Sequence, residues 1–550
     1  MRRFHFAFKA APLALVFFVS AFLAFSQAPQ LGRVNFPNSG SPQAQGDFLR
    51  GVAALHSFWY EEALEAFQAA TKADPNFAMG YWGEAMTYNH PLWGQEDYEA
   101  GRKALAKIKG ASKLTSREKA FIDALRVLYG EGDKLARDLA YASAMEKIYR
   151  DYPDDLEAAA FYSLALLGTV RPGDKGFQRQ MKAGAIAMEV YQKNPNHPGA
   201  AHYVIHSFDD PEHAILALPA ARRYAEIAPA AHHAQHMPSH IFLQLGMWPE
   251  AAASNETAWR VSDEWVKSKK LPLSLRDYHS NQWLTYVYCQ QGRYAKAEEL
   301  INRLRQTMKE SGPESVRWYD DTVAAFIIET GRWDLASKLF GQPSVIEAGE
   351  RAEHGSHGAA APAKPVAQMT PNTRRGMSLP LFVRAMAAAN TGSADAEKLL
   401  GEMRANRGQS NDNYGAKMLE IRELEIAALI AASKKNFGEA IAAMKRATTL
   451  EEEMSPPSGP PTLIKPSHEL FGEILLRAGK PKEAAQAFAV ALNRQPNRAR
   501  SLVGAARACA QSGDKARAIE LYTSFLRVWR EADANLSEPR EARKFTGMEH

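Results

Sequence analysis

Two short stretches set imidazoles at a regular spacing. In HYVIHSFDD, which begins at residue 202, His202 and His206 are four apart; in HMPSHIFLQ, which begins at residue 236, His236 and His240 are also four apart. The second pair follows the first by 34 residues, and His56 and His90 are separated by 34 as well. Residues at i and i+4 lie on one face of a helix, so both imidazoles of a pair can reach one point. Packed helices sit about 8–10 Å apart, so His202, His206, His236 and His240 could converge on one Zn²⁺ or Cu²⁺ ion. Asp209, Asp210 and Glu212 follow the first pair and could orient the rings as acceptors behind a metal. A groove that uses histidine only for hydrogen bonds to a ligand is the favoured reading, ahead of a metal site, and purely structural histidines come third. Pro238 also interrupts the second pair, and it is expected to disturb the alignment of His236 with His240.

The elements that must position these residues are set by a repeat. In PSHELFGEILLRAGKPKEAAQAFAVALNRQPN, Gly472, Gly479, Ala484, Phe488, Ala491 and Pro496 occupy the small, turn, packing and stop positions of a helix hairpin. Ala506, Gly513, Ala518, Tyr522 and Phe525 repeat the pattern 34 residues later. Near the start, Gly51, Ala63, Phe67, Ala70 and Pro75 form the same set, and Tyr288, Gly292, Tyr294 and Ala297 mark a further copy. On these residues the chain resembles the tetratricopeptide repeat, and in particular exported bacterial proteins of that type whose role is not established. The resemblance implies an all-α fold: a right-handed superhelical solenoid of antiparallel helix hairpins. About ten to twelve hairpins would stack so that each buries its neighbour's apolar face and together they form a concave surface.

The repeat also places the histidines. His202 and His236 share position 5, His206 and His240 position 9, His56 and His90 position 13, and His233 and His279 position 2. At about 100° per residue these positions lie on one stripe of the first helix, opposite its packing side. The resemblance implies that this stripe lines the groove and carries ligand contacts. His56, His90, His233 and His279 are therefore candidate groove residues, with Trp82 and Met86 as an apolar patch and Gln282 and Tyr286 as a polar continuation. For Trp82 and Met86, filling space between units is the favoured reading. Eight of the sixteen histidines fall within 197–240, a density that composition alone does not produce. His197 and His213 lie outside the stripe and read as turn residues, and His468 falls on the packing side.

Other chemistries are poorly represented. SHELF begins like a metalloprotease helix, but Gly472 stands where its second histidine belongs. No phosphate loop, dinucleotide fingerprint or nucleophile elbow is present, and no catalytic residue is assigned. The sequence thus points to binding rather than catalysis. Cys289 and Cys509 are too few and too far apart for a disulfide framework. The net charge is +5, and removing Arg2, Arg3 and Lys9 with an N-terminal leader leaves +2, which argues against nucleic acid.

Residues 1–26 read as a signal peptide: a basic start, an apolar stretch and a small-residue cleavage region ending at Ser26. No second stretch is apolar for the roughly 20 residues a membrane span needs. The expected organisation is a linker over 27–46, a repeat array with a histidine-rich groove over 47–345, and a disordered Ala/Pro/Gly-rich loop over 346–375. A second array over 376–530 and a tail over 531–550 complete it. The expectation is an exported scaffold, periplasmic or extracellular, that binds a protein or peptide in its groove. The alternative is a zinc- or copper-binding protein centred on the cluster at 202–240.

Overall fold

The computed structural model describes residues 30–548, apart from 110–113, 172–173, 175, 313–315, 317, 341–374 and 408–412. The leader assigned to 1–26 lies outside the described residues. So does nearly all of the loop assigned to 346–375, with His354 and His357. Among the described residues the regular structure is helical, save for one short antiparallel pair, Asn89–His90 with Gln95–Glu96.

Helices pair as antiparallel hairpins in chain order: Pro42–His56 with Tyr60–Ala73, Ser467–Arg477 with Pro481–Arg494, and Ala499–Ser512 with Lys515–Val528. The turn glycine has a physical reason. Gly513 ends its helix at φ +90°, a left-handed conformation that a side chain disfavours. The small position has another. A Cβ on Gly472 or Gly504 would sit 2.7 or 2.4 Å from the Phe488 ring, and Gly51 and Gly83 clasp Phe67 in the same way. One aromatic ring held between two glycine-bearing helices is thus the packing unit at both ends of the chain.

Successive windings touch. Trp59 meets Trp265 with ring centroids 5.6 Å apart, and Lys269 Nζ reaches Glu65 at 2.6 Å. Further on, the indole N–H of Trp248 donates to the Asn497 carbonyl (2.9 Å), and that of Trp529 donates to the Gln290 carbonyl (2.8 Å). The stretch around 248–292 is therefore packed against both the first hairpin and the last ones.

Both expected flanking segments are built into the fold. In 27–46, Leu31 and Phe36 are buried, and the Arg33 N–H donates to the Asn196 carbonyl at 2.8 Å. The first helix begins at Pro42, because Pro is accommodated in a first helical turn. In 531–550 the helix Glu538–Thr546 buries Ala542, and Glu541 accepts from Arg507 and from the Tyr522 hydroxyl. A terminal hairpin has an apolar face with no successor, and this helix covers it. Among the described residues the two largest apolar cores meet between Ile241 and Phe242. Their junction falls in the helix Pro238–Gln244, where imidazole takes the place of an apolar side chain.

Candidate metal centre

Four helical segments supply the histidine cluster. Pro198–Ser207 carries His202 and His206, His232–His236 carries His233 and His236, Pro238–Gln244 carries His240, and Tyr278–Gln290 carries His279. The disturbance expected at Pro238 does not separate its neighbours. Met237 keeps right-handed helical dihedrals (φ −55°, ψ −35°), and Pro238 starts the next segment in a first-turn position that needs no N–H. His236 and His240 remain in register.

The histidines form two groups of three. The ligand nitrogens of His202, His206 and His233 lie within 4.8 Å of one another, and so do those of His236, His240 and His279. The four residues first considered for one ion are thus divided between two triads. The third member of each, His233 or His279, was expected to line the groove. In the first triad, Nε2 of His206 and Nε2 of His233 each lie 3.0 Å from Nε2 of His202. In the second, Nε2 of His236 and Nε2 of His240 are 3.1 Å apart. Imidazole nitrogens bound to one ion at about 2.0–2.1 Å are about 3 Å from each other when they occupy neighbouring coordination positions.

The opposite edges of the rings fix the tautomers. His202 Nδ1 lies 2.7 Å from the His56 carbonyl, which only accepts, so Nδ1–H is the donor and Nε2 carries the lone pair. Asn255 Nδ2 donates to the Ala251 carbonyl, which leaves Asn255 Oδ1 to accept from His236 Nδ1 at 2.7 Å. His240 Nδ1 donates to Asp209 Oδ2 at 2.6 Å. A neutral His236 and a neutral His240 therefore each turn their acceptor nitrogen, Nε2, into the triad, 3.1 Å apart in a buried place. Nitrogens presented in this way are available to a cation held in common with His279. Hydrogen-bonded partners behind ligand rings are what orients metal-binding histidines and raises their basicity.

Each triad also has an aromatic wall. The Phe58 ring lies 4.2, 5.8 and 5.6 Å from His202, His206 and His233. Trp283 lies 4.8, 4.2 and 5.4 Å from His236, His240 and His279. Neither residue was singled out in the sequence, although His279 and Trp283 share the i, i+4 spacing that marked the histidine pairs. Phe58 holds φ +52°, an uncommon backbone for a bulky residue, in the turn after the first helix.

A third buried cluster, His56, Glu157 and His197, behaves differently. His56 Nε2–H donates to Glu157 Oε2 at 2.8 Å, and its Nδ1 accepts from the Tyr203 hydroxyl at 2.8 Å. His197 caps its helix by accepting from the Ala200 N–H, so its proton sits on Nε2, 3.3 Å from Glu157 Oε1. Burial alone would raise the Glu157 pKa, but His197 and His56 hold it below the usual carboxylate range. Burial pushes His56 down, against the pull of Glu157. Both ring nitrogens of His56 are hydrogen-bonded within the protein, His197 Nε2 is close to Glu157 without a hydrogen bond, and the His56 carbonyl supports His202.

The remaining candidates separate by burial. Trp82 is 1% exposed among Phe36, Phe121 and Phe161, and Met86 is buried beside Tyr141, so both belong to the core and not to the surface of a groove. Tyr286 is buried and its hydroxyl accepts from Arg498 at 2.9 Å, which removes it from the groove as well; Gln282 stays half-buried. His90 stacks on Tyr60 at 3.9 Å, and burial pushes its pKa down to about 4. His213 pairs with Asp210 at 2.9 Å, and His468 lies 2.9 Å from Glu452.

The hairpin stack defines the fold as an all-α array of antiparallel helix hairpins. No family model matches the sequence, and no curated protein matches it. Among solved structures, the Cut9–Hcn1 hetero-tetramer of the APC/C is similar at 11% identity and a TM-score of 0.33, over 93% of this chain and 77% of that one. A human IFIT1 dimer is similar at 13% identity and a TM-score of 0.36, over 87% and 95%. The TPR domain of P58(IPK) is similar at 14% identity and a TM-score of 0.21, over 72% and 98%. Among the described residues no helix is long and apolar enough to cross a membrane.

Proposed function

We propose that this chain is an exported helical-repeat scaffold that holds transition-metal ions, zinc or copper, on His202, His206 and His233 and on His236, His240 and His279. The observation that supports this most directly is the convergence of three imidazoles in each triad, with the Nδ1 protons of His202, His236 and His240 committed to the His56 carbonyl, Asn255 and Asp209. All six donors are imidazoles, which suits zinc and copper better than calcium or magnesium. Export rests on the character of residues 1–26. A protein or peptide partner in the groove is the second reading, favoured by the half-buried positions of His206, His279 and Gln282 beside the metal triads.

Elemental analysis of the mature chain, loaded with Zn²⁺ or Cu²⁺ and then desalted, tests the metal reading. The expected result is about two equivalents of metal, falling to about one in His206→Ala and in His240→Ala, since each variant leaves one triad of donors intact. A loaded wild-type chain that retains no metal overturns it.

A further inference from the structure

We propose that the two triads are one binuclear centre, in which a single small bridging anion, hydroxide in the resting state, completes the coordination of both ions. The inference rests on the metal reading above and adds to it how the two ions are related and what exogenous ligand they take.

The first argument is adjacency. Rings from different triads meet directly, His206 with His240 at 5.8 Å and His233 with His236 at 6.1 Å between centroids. Ring centroids at such distances are in contact, with no room for another side chain between them. The sequence enforces this, because His233 and His236 sit on the same five-residue helix, His232–His236, yet serve different triads. Two ions held by these rings are neighbours across a seam made of histidine.

The second argument is coordination number. Each triad offers three nitrogens, and zinc or copper takes at least four ligands. Phe58 lies against all three rings of the first triad and Trp283 against all three of the second, so each set has an apolar wall that offers no donor. The seam is where both triads meet without an aromatic ring between them. One ligand placed there fills the vacant position of both ions.

The third argument is charge. Two dications bring four positive charges to a site where all six donors are neutral, and Asp209, bonded to His240, is a single carboxylate behind one of them. Cations in a poorly solvated place need compensation, and a small anion at the seam supplies it at the point of highest field. Hydroxide forms there from water with release of one proton to solvent, and no change of oxidation state is involved. Azide is of the class that replaces it, being a small anion with nitrogen donors at both ends.

The experiment is electron paramagnetic resonance on the full mature chain loaded with Cu²⁺, with copper measured in the same sample. Bridged cupric ions couple their spins, so the expected signal integrates to well under half of the bound copper, and azide changes both absorption and coupling. His279→Ala is expected to bind about one equivalent and to give a signal that accounts for all of it, because an intact triad is left without a partner. Circular dichroism of that variant establishes that it is folded, and His233→Ala repeats the test from the other side if it is not. Two bound coppers whose signal accounts for all of the metal overturn the bridged centre while leaving metal binding in place. Failure to retain copper at all is the separate failure of the metal reading.

Discussion

Nε2 of His236 and Nε2 of His240 face each other across 3.1 Å, and both rings have placed their Nδ1 proton on another acceptor. With His279 they form a set of three nitrogens that only the folded chain brings together. Metal that binds the folded chain and not the unfolded one stabilises it in proportion to the logarithm of its excess over the dissociation constant, about 2.7 kcal/mol at a hundredfold excess. Calorimetry is therefore expected to give a higher melting temperature with Zn²⁺ than with a chelator. The gap should shrink in His240→Ala. An identical melting temperature in both conditions would remove the energetic basis of the site.

Asp209 Oδ2 accepts from His240 Nδ1, and Asp209 Oδ1 lies 3.2 Å from Gln244 Nε2. The Asp209→Asn variant keeps shape and an acceptor oxygen but removes the charge that makes His240 a stronger ligand. Loss of such a partner typically costs about 10–100-fold in metal affinity. That loss is expected at one of the two sites, seen as one weakened and one unchanged step in a competitive chelator titration. Two unchanged steps would detach Asp209 from the centre.

Gly199 has a role that its distance from the ligand nitrogens conceals. A Cβ at that position would stand 2.4 Å from His56 Nδ1, and the His56 carbonyl is what receives the Nδ1 proton of His202. The Gly199→Ala variant is expected to push the His56 ring, shift that carbonyl and weaken the triad of His202, His206 and His233. The same titration should now show the other step weakened, with the spectrum of a folded helical chain retained. Unchanged binding at both sites would mean that His56 yields without moving its backbone.

The hairpins were legible because their signals are local. Glycine at a left-handed turn and glycine against Phe67 or Phe488 recur at the repeat period, so a single helix pair announces its own geometry. The histidine stripe was legible for the same reason, which is why six of the candidate residues meet in two adjacent triads. Their division into threes was not legible. Whether His233 joins His202 or His236 depends on how neighbouring units rotate, and spacing within one helix does not encode that rotation. Phe58 was hidden in a turn whose backbone is set by tertiary contacts. Trp82, Met86 and Tyr286 sit at groove positions of the repeat, but the windings lie so close that those positions are buried.

Arg498 illustrates the same closeness in the other half of the chain. Its guanidinium is buried and donates to Glu469 at 2.7 Å, Glu329 at 2.6 Å and the Tyr286 hydroxyl at 2.9 Å, so it ties helices from distant windings together. Lys465 also bonds Glu469 at 2.9 Å, so removal of Arg498 strands Glu329 more than Glu469. Breaking a buried pair from one side costs about 3–5 kcal/mol, because the partner charge stays behind. Arg498→Ala is expected to lose that much in urea unfolding, and Arg498→Ala combined with Glu329→Gln to lose less. If the double variant is no more stable than the single one, Glu329 is not the stranded charge.

His90 supplies a pH dependence that does not involve the triads' ligand nitrogens. Its ring stacks on Tyr60, its Nε2 lies 3.2 Å from the Thr87 carbonyl, and Lys134 is the nearby cation that opposes protonation. Burial is the main cause of its low pKa, about 4 against an ordinary 6.5. The unfolded chain therefore takes up a proton first as pH falls, and the folded chain takes it up only later. Stability from this group is complete above the unfolded value, declines as pH falls through the interval between the two, and is gone below the folded value. The shift corresponds to a loss of up to about 3 kcal/mol. His90→Phe keeps a ring for Tyr60 to stack on and removes the titration. With a chelator present in both samples, wild type is expected to lose more stability than His90→Phe between about pH 7.5 and about pH 4.5. Parallel losses in the two proteins would mean that His90 protonates as readily in the folded chain as in the unfolded one.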